Sequence, residues 1–147
     1  SGYDFVRTLM EYLGLDNPLA GDLPGRSFAA WRRGEQAPEE RPVVVFDEYG
    51  PVRMIRTQTR KYVRRLPYGP DEFYCLDTDP GERENRIGDP ACAEEIAQMR
   101  RQLDGWFVRY ADPAIDGSRE PVRGGGQAGL AGLWGDGHDV YPVNDHC

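Results

Sequence analysis

Residues 41–87 read RPVVVFDEYGPVRMIRTQTRKYVRRLPYGPDEFYCLDTDPGERENRI. Strand-forming residues concentrate at 43–46, 52–57, 62–66 and 73–76, and Gly, Pro or a charged polar cluster bounds each run. The spacing predicts four short strands connected as a meander. The fourth leads into Asp77-Thr78-Asp79-Pro80-Gly81-Glu82-Arg83-Glu84-Asn85. Asp at the start, with Pro80 and Gly81 following, suits a tight reversal, with Glu82 or Asn85 bonding backbone amides.

Beyond the meander, Asp89 and Pro90 form a cap and first-turn pair. Ile96, Met99, Leu103, Trp106, Phe107 and Tyr110 then recur at spacings of three and four, which predicts one long helix over about 90–110 with a core-facing stripe. Its other face carries Glu94, Glu95, Arg100, Arg101 and Asp104, acidic residues early and basic ones later, as the helix dipole favours. Four antiparallel strands under such a helix make a two-layer α+β sandwich.

Before the meander, Asp4 is positioned to cap a helix carrying Phe5, Leu9, Tyr12 and Leu13, with Gly14 as a left-handed stop. Ser27 is positioned to cap a second short helix with Phe28 and Trp31 that closes at Gly34, and 36–42 reads as a linker. After Asp112 the periodicity disappears. Eight of the last 36 residues are glycine and the apolar ones stand singly, so the tail cannot build its own core. The expected organisation is short helices over 1–40, sheet plus long helix over 41–111, and an irregular tail over 112–147.

With 39% hydrophobic and 29% charged residues, the 147-residue chain has ordinary globular composition. A net charge of -7 and a pI near 4.8 argue against binding a phosphate backbone, whose affinity comes from Lys and Arg. No run approaches the ~20 apolar residues of a membrane-spanning helix. Arg53, Arg56, Arg60, Lys61, Arg64 and Arg65 read as solvated faces of strands two and three, with a basic wall toward an anionic partner as the alternative. Cys75, Cys92 and Cys147 have no CxxC spacing, and the first two read as small core residues or surface thiols.

The ordered motifs resemble the C-terminal subdomain of the sulfatase family. The 73–85 run is similar to that family's L-Y-D-L-like strand followed by a D-P-x-E-x-x-N turn. Asp4-Phe5-Val6-Arg7-Thr8-Leu9 resembles its D-I-x-P-T-L helix, with Arg7 where proline is usual, and Gly25-Arg26-Ser27-Phe28 resembles its D-G-x-S-L turn. A looser likeness covers 122–127.

The resemblance implies an enzyme whose nucleophile is a formylglycine made from Cys or Ser in C/S-x-P-x-R, assisted by a divalent cation, expected to be Ca²⁺. No Cys or Ser here has that context; Ser118 comes nearest but lacks the proline spacing and the arginine. The chain is therefore expected to be an inactive C-terminal fragment, bracing a catalytic N-terminal domain and bordering its substrate pocket. Arg64, Arg65, Tyr68, Trp134 and His138 are the rim candidates. Self-association is expected through surface meant for the catalytic domain, with Leu9, Phe28, Trp31, Leu130, Leu133 and Trp134 as candidates. The resemblance fixes neither compartment nor substrate.

Other readings stand beside this one. Asp77 and Asp79 form a D-x-D that with Glu82 offers hard oxygen ligands for a cation, the tail cluster Asp136, His138, Asp139, Asp145, His146 and Cys147 carries metal-capable side chains without a recognised ligand spacing, and Asp77 and Asp79 together with the tail histidines are a third grouping. That pattern would suit a metal-dependent hydrolase, whereas turn chemistry explains the same aspartates without a metal. A free-standing acidic protein-interaction module is the alternative from outside enzymology. Gly124-Gly125-Gly126 has no strand before it or capped helix after it, which excludes a phosphate loop.

Overall fold

One row of apolar side chains runs straight across the four predicted strands. In the computed structural model, which describes residues 1–18, 21–35, 40–46, 51–66 and 69–119, these are β1 (Val43–Phe46), β2 (Val52–Arg56), β3 (Arg60–Arg65) and β4 (Glu72–Cys75). They form one antiparallel sheet in the order β1-β2-β3-β4. The register pairs Val44 with Ile55, Ile55 with Tyr62, and Tyr62 with Phe73. Because side chains alternate faces along a strand, this register fixes which residues share each face.

The long helix of the sequence reading begins slightly later than expected. Asp89 accepts a hydrogen bond from the Ala91 amide and caps a single 3-10 turn, Pro90–Cys92, and the α-helix proper runs over Ala93–Tyr110. Met99, Leu103 and Phe107 are its buried residues and pack with Val44, Ile55, Tyr62, Phe73, Cys75 and Cys92 in one core. Ile96 and Trp106 close the margin of that core. Tyr62, Phe73 and Leu103 have no measurable exposure. This is the α+β architecture predicted from the sequence.

The chain divides into two compact units, Ser1–Arg41 and Pro42–Cys147. The sheet and long helix belong to the second. In the first, one helix spans Gly2–Tyr12 and a second spans Ala29–Arg32. In chain order the helices are thus α1 (Gly2–Tyr12), α2 (Ala29–Arg32) and α3 (Ala93–Tyr110).

Three local expectations need correction. Asp4 does not begin α1: Ser1 occupies the N-cap, and the Asp4 carboxylate, three residues on, accepts from the Ser1 amino group at 2.5 Å. A carboxylate in the first turn satisfies an orphan donor and faces the positive end of the dipole, so the helix gains a turn at its start. Of the two residues expected to bond backbone amides in the turn, Asn85 does so, whereas the Glu82 carboxylate pairs with Lys61 instead. The arginines of β2 and β3 are only in part a solvated face: Arg56 is exposed, whereas the others are drawn into the fold. Arg60 and Arg64 share the parity of Tyr62 on β3, which places them on the face that α3 covers, where they pair with Glu95 and Asp104 of that helix. Arg53 shares the parity of Ile55 and is buried. Of the expected irregular tail over 112–147, residues 112–119 contain two 3-10 turns, Pro113–Ile115 and Gly117–Arg119, and the rest lies outside the described residues.

Candidate functional site

The segment that follows β4 is built almost entirely from side-chain-to-backbone hydrogen bonds. Asp79 Oδ2 accepts from the amides of Arg83 (2.7 Å) and Glu84 (2.9 Å), closing the reversal after Pro80. Glu82 sits at φ 54°, a left-handed conformation uncommon for a residue with a Cβ. Asn85 Oδ1 accepts from Phe73 N (3.0 Å) and Ile87 N (3.1 Å), while its Nδ2 donates to the Asp71 carbonyl (3.3 Å). The Arg86 amide then donates to Phe73 O. One asparagine side chain therefore does the work of a neighbouring strand at the outer margin of β4.

Asp77 has a different job. Its Oδ1 accepts from Arg60 Nη1 (2.9 Å) and from Thr78 N, and the Arg60 guanidinium holds its carboxyl below the usual carboxylate range. The two aspartates of the D-x-D thus point to separate tasks, an ion pair and a turn closure. Among the described residues no three His, Cys, Asp or Glu side chains converge to hold a metal ion. His138, the other candidate ligand, lies outside the described residues.

The rim candidates divide in the same way. Arg64 pairs with Asp104 of α3. Arg65 donates to Glu72 Oε1 (2.6 Å) and the Pro70 carbonyl (2.9 Å), and its amide donates to Asp71 Oδ1. Asp71 also accepts from the Tyr62 hydroxyl at 2.6 Å; burial first, and then this carboxylate, push the phenol well above its ordinary value. On the same face as Arg65, Tyr74 is pushed up to about 12, chiefly by burial and then by Glu72. These arginines and tyrosines are tied into the fold. Tyr68 and Trp134 lie outside the described residues.

Two features had no counterpart in the sequence reading. Arg60 bridges Asp77 and Glu95, and beside it an open groove of about 290 Å³ is lined by Thr57, Thr59, Gln98 and Gln102. Arg53 lies with its guanidinium 3.8 Å from the centre of the Phe107 ring and donates to Asp116 Oδ1 at 2.5 Å. Asp116 also accepts from Ser118 N, so the segment after α3 is tied back to β2. The sequence signal was Asp112 and Asp116, each followed two residues on by a backbone donor.

In the first unit, the two motifs that resemble family signatures interlock. Asp4 Oδ1 accepts from Arg26 N (2.8 Å), and Thr8 Oγ1 accepts from Phe28 N (3.0 Å). Ser27 Oγ accepts from Ala29 N, but the N-cap position of α2 is Phe28 rather than the expected Ser27, which stands one residue earlier. Gly25 takes φ 90°, and a Cβ there would stand 2.6 Å from the Tyr3 backbone, so only glycine fits. Packing is otherwise sparse. α1 has no buried residue, and Phe5, Leu9, Tyr12 and Leu13 are exposed, Tyr12 at 82%.

No protein-family model matches the chain. It is 34% identical over 116 residues to a Delta 4,5-hexuronate-2-O-sulfatase of Bacteroides thetaiotaomicron, a match covering 74% of this chain and 24% of the relative. Among solved structures, a putative sulfatase from Bacteroides thetaiotaomicron aligns with a TM-score of 0.61 at 30% identity, over 82% of this chain and 29% of that one. A 2-O GAG sulfatase aligns with a TM-score of 0.60 at the same identity and coverage. The chain thus spans about a quarter of the length of the relatives it matches.

Proposed function

We propose that this chain, which matches the C-terminal portion of sulfatases, is a non-catalytic subdomain that braces the catalytic domain of a sulfuric ester hydrolase and borders its substrate pocket. One observation carries the reading. The second unit closes its own core, whereas α1 and its C-cap present Phe5, Leu9, Tyr12 and Leu13 to solvent and α1 has no fully buried residue. An apolar helical face of that size marks a docking surface. The remaining three quarters of a sulfatase chain supply the complementary surface. In that protein the formylglycine nucleophile and the divalent cation, Ca²⁺, belong to the catalytic domain.

No observation favours a free-standing interaction module. The first substrate to test on the longer protein is a Δ4,5-hexuronate 2-O-sulfate, which is the ester named for the 34% identical relative.

Two measurements test the reading. The purified 147-residue chain should release no sulfate from aryl sulfates, with or without Ca²⁺, and turnover that tracks the purified chain would overturn it. Light scattering across a concentration series should show self-association that Phe5→Ser combined with Leu9→Ser reduces. A strictly monomeric chain at high concentration would remove the docking surface from the argument.

A further inference from the structure

The two margins of the sheet are not equivalent. Hydrogen-bonded pairs alternate with unbonded ones along an antiparallel ladder, so one bond fixes the direction of every backbone group in the strand. Between β2 and β3, Thr57 N donates to Arg60 O (2.9 Å) and Leu66 N to Pro51 O (2.8 Å). In the register that pairs Arg53 with Arg64 and Ile55 with Tyr62, those bonds turn the amides and carbonyls of Arg53 and Ile55 toward β3, and those of Met54 and Arg56 toward β1. Arg56 pairs with Val43 and Met54 with Val45, so these two residues of β1 bond β2, while Val44 and Phe46 direct their amides and carbonyls at the outer edge. On β4, where Leu76 N donates to Thr59 O, the same alternation sends Phe73 outward, and its amide and carbonyl are taken by Asn85 Oδ1 and Arg86 N. Val44 and Phe46 have no such cover among the described residues.

An open edge is a template for another strand. Pro42, the preceding residue whose backbone points outward, has no N–H to offer, so the bondable edge is short. A flexible peptide would have to order itself for a handful of bonds, whereas a second copy brings a strand already fixed. From this alternation we propose that β1 is a self-pairing edge. Two copies join antiparallel about a two-fold axis through Val45, and Val44 of each exchanges amide-to-carbonyl bonds with Phe46 of the other.

The axis sets Val45, 47% exposed, against its own copy on the face away from α3. It lays Phe46, 42% exposed and packed on Trp106 and Phe107, beside Val44 of the other copy on the face that α3 covers. The product is one continuous sheet with four strands from each copy and both α3 helices on the same side. A strand of four residues per copy buries less than the roughly 1,200 Å² at which standard interfaces begin, so the pair is weak and concentration-dependent. It uses no part of α1 and stands apart from the docking face of the proposed function.

The experiment first removes the contribution of α1. Sedimentation velocity on Phe5→Ser/Leu9→Ser over a concentration series should still show a monomer–dimer equilibrium. Val45→Lys in that background sets like charges opposite each other across the axis and replaces an apolar contact, and should raise the concentration of half-dimerisation about tenfold. Its urea midpoint should stay close to the parent's, because this side chain is half exposed in the single copy. A cross-link reports the register. With Cys147→Ser added, Val45→Cys should form a covalent dimer under oxidised glutathione several times faster than Val43→Cys, because only residue 45 meets itself, at the Cα spacing of about 4.5 Å of an unbonded pair. Amide exchange at Val44 and Phe46 should slow as concentration rises. A strictly monomeric Phe5→Ser/Leu9→Ser, a dimer indifferent to Val45→Lys, or equal cross-linking from positions 43 and 45 would each overturn the proposal. So would protection of Val44 and Phe46 that ignores concentration, which would put another segment of the same chain on the edge. The α1 reading fails separately, when Phe5→Ser/Leu9→Ser leaves the association of the parent undiminished.

Discussion

Replacing Asp116 by Ala tests the tie between β2 and the segment beyond α3. Arg53 keeps only 9% of its side-chain surface and Asp116 26%, and the two meet at 2.5 Å. Removing one partner of a fully buried pair costs about 3–5 kcal/mol, because the remaining charge is stranded. Here Asp116 is partly open, so water refills some of its place and the cost falls to roughly 2–3 kcal/mol, with the Phe107 ring still worth about 1 kcal/mol to the cation. Urea denaturation followed by tryptophan fluorescence should show the midpoint falling at an unchanged slope. Arg53→Met, which keeps an apolar stem against Phe107, should make the second change nearly free: the double variant should lie within about 1 kcal/mol of the parent. A loss below ~0.5 kcal/mol for Asp116→Ala, or an equal loss with Arg53 already replaced, would refute the claim that these groups form a coupled buried pair.

Two further outcomes follow from the turn and its helix cap. Asn85→Ala removes the acceptor of two amides and the donor to Asp71, and should cost about 1–2 kcal/mol by denaturation; Asn85→Asp keeps Oδ1 and should lose less than Asn85→Ala. The Ala91 amide, and then the Arg86 guanidinium, hold the Asp89 carboxyl below its ordinary value. A depressed folded value stabilises the fold above the unfolded value of about 3.9, and that contribution is lost as pH falls through the folded value. Urea midpoints measured between about pH 2 and pH 5 should therefore drop less steeply in Asp89→Asn than in the parent; parallel profiles would sink the assignment.

The elements of the second unit were legible because local chemistry and global fold agree in them. Gly and Pro punctuate 41–87, β-branched and aromatic residues fill the strands, and the spacing of Met99, Leu103 and Phe107 marks a single buried stripe. What sequence could not reveal was partnership. Arg60 and Arg64 flank Tyr62 on one face of β3, and nothing in that local pattern says whether two long cationic side chains end in solvent or on a partner, so they read as a solvated face. Their pairing with Glu95 and Asp104 depends on where α3 crosses the sheet, which is a tertiary fact. The start of α1 was misplaced for a local reason: Ser1 and Asp4 are both good cap residues, and the pattern of Phe5 and Leu9 does not choose between them. Of the candidate site, Asp79 and Asn85 were readable as turn chemistry, whereas the bridge from Arg60 to Asp77 spans two strands and leaves no mark in local spacing.

The bonds that Asn85 and Arg86 make to Phe73 also bear on how copies of this chain can meet. Indefinite growth of a sheet through successive molecules needs two open margins on each one, one to receive and one to offer. At the β4 margin the amide and carbonyl of Phe73 are already occupied, and the Cys75 carbonyl is bonded to Thr78 and Asp79. A molecule closed on one side is a chain terminator. Whatever β1 encounters, strand-to-strand association ends at a pair, so this turn protects the protein from forming fibres through that sheet.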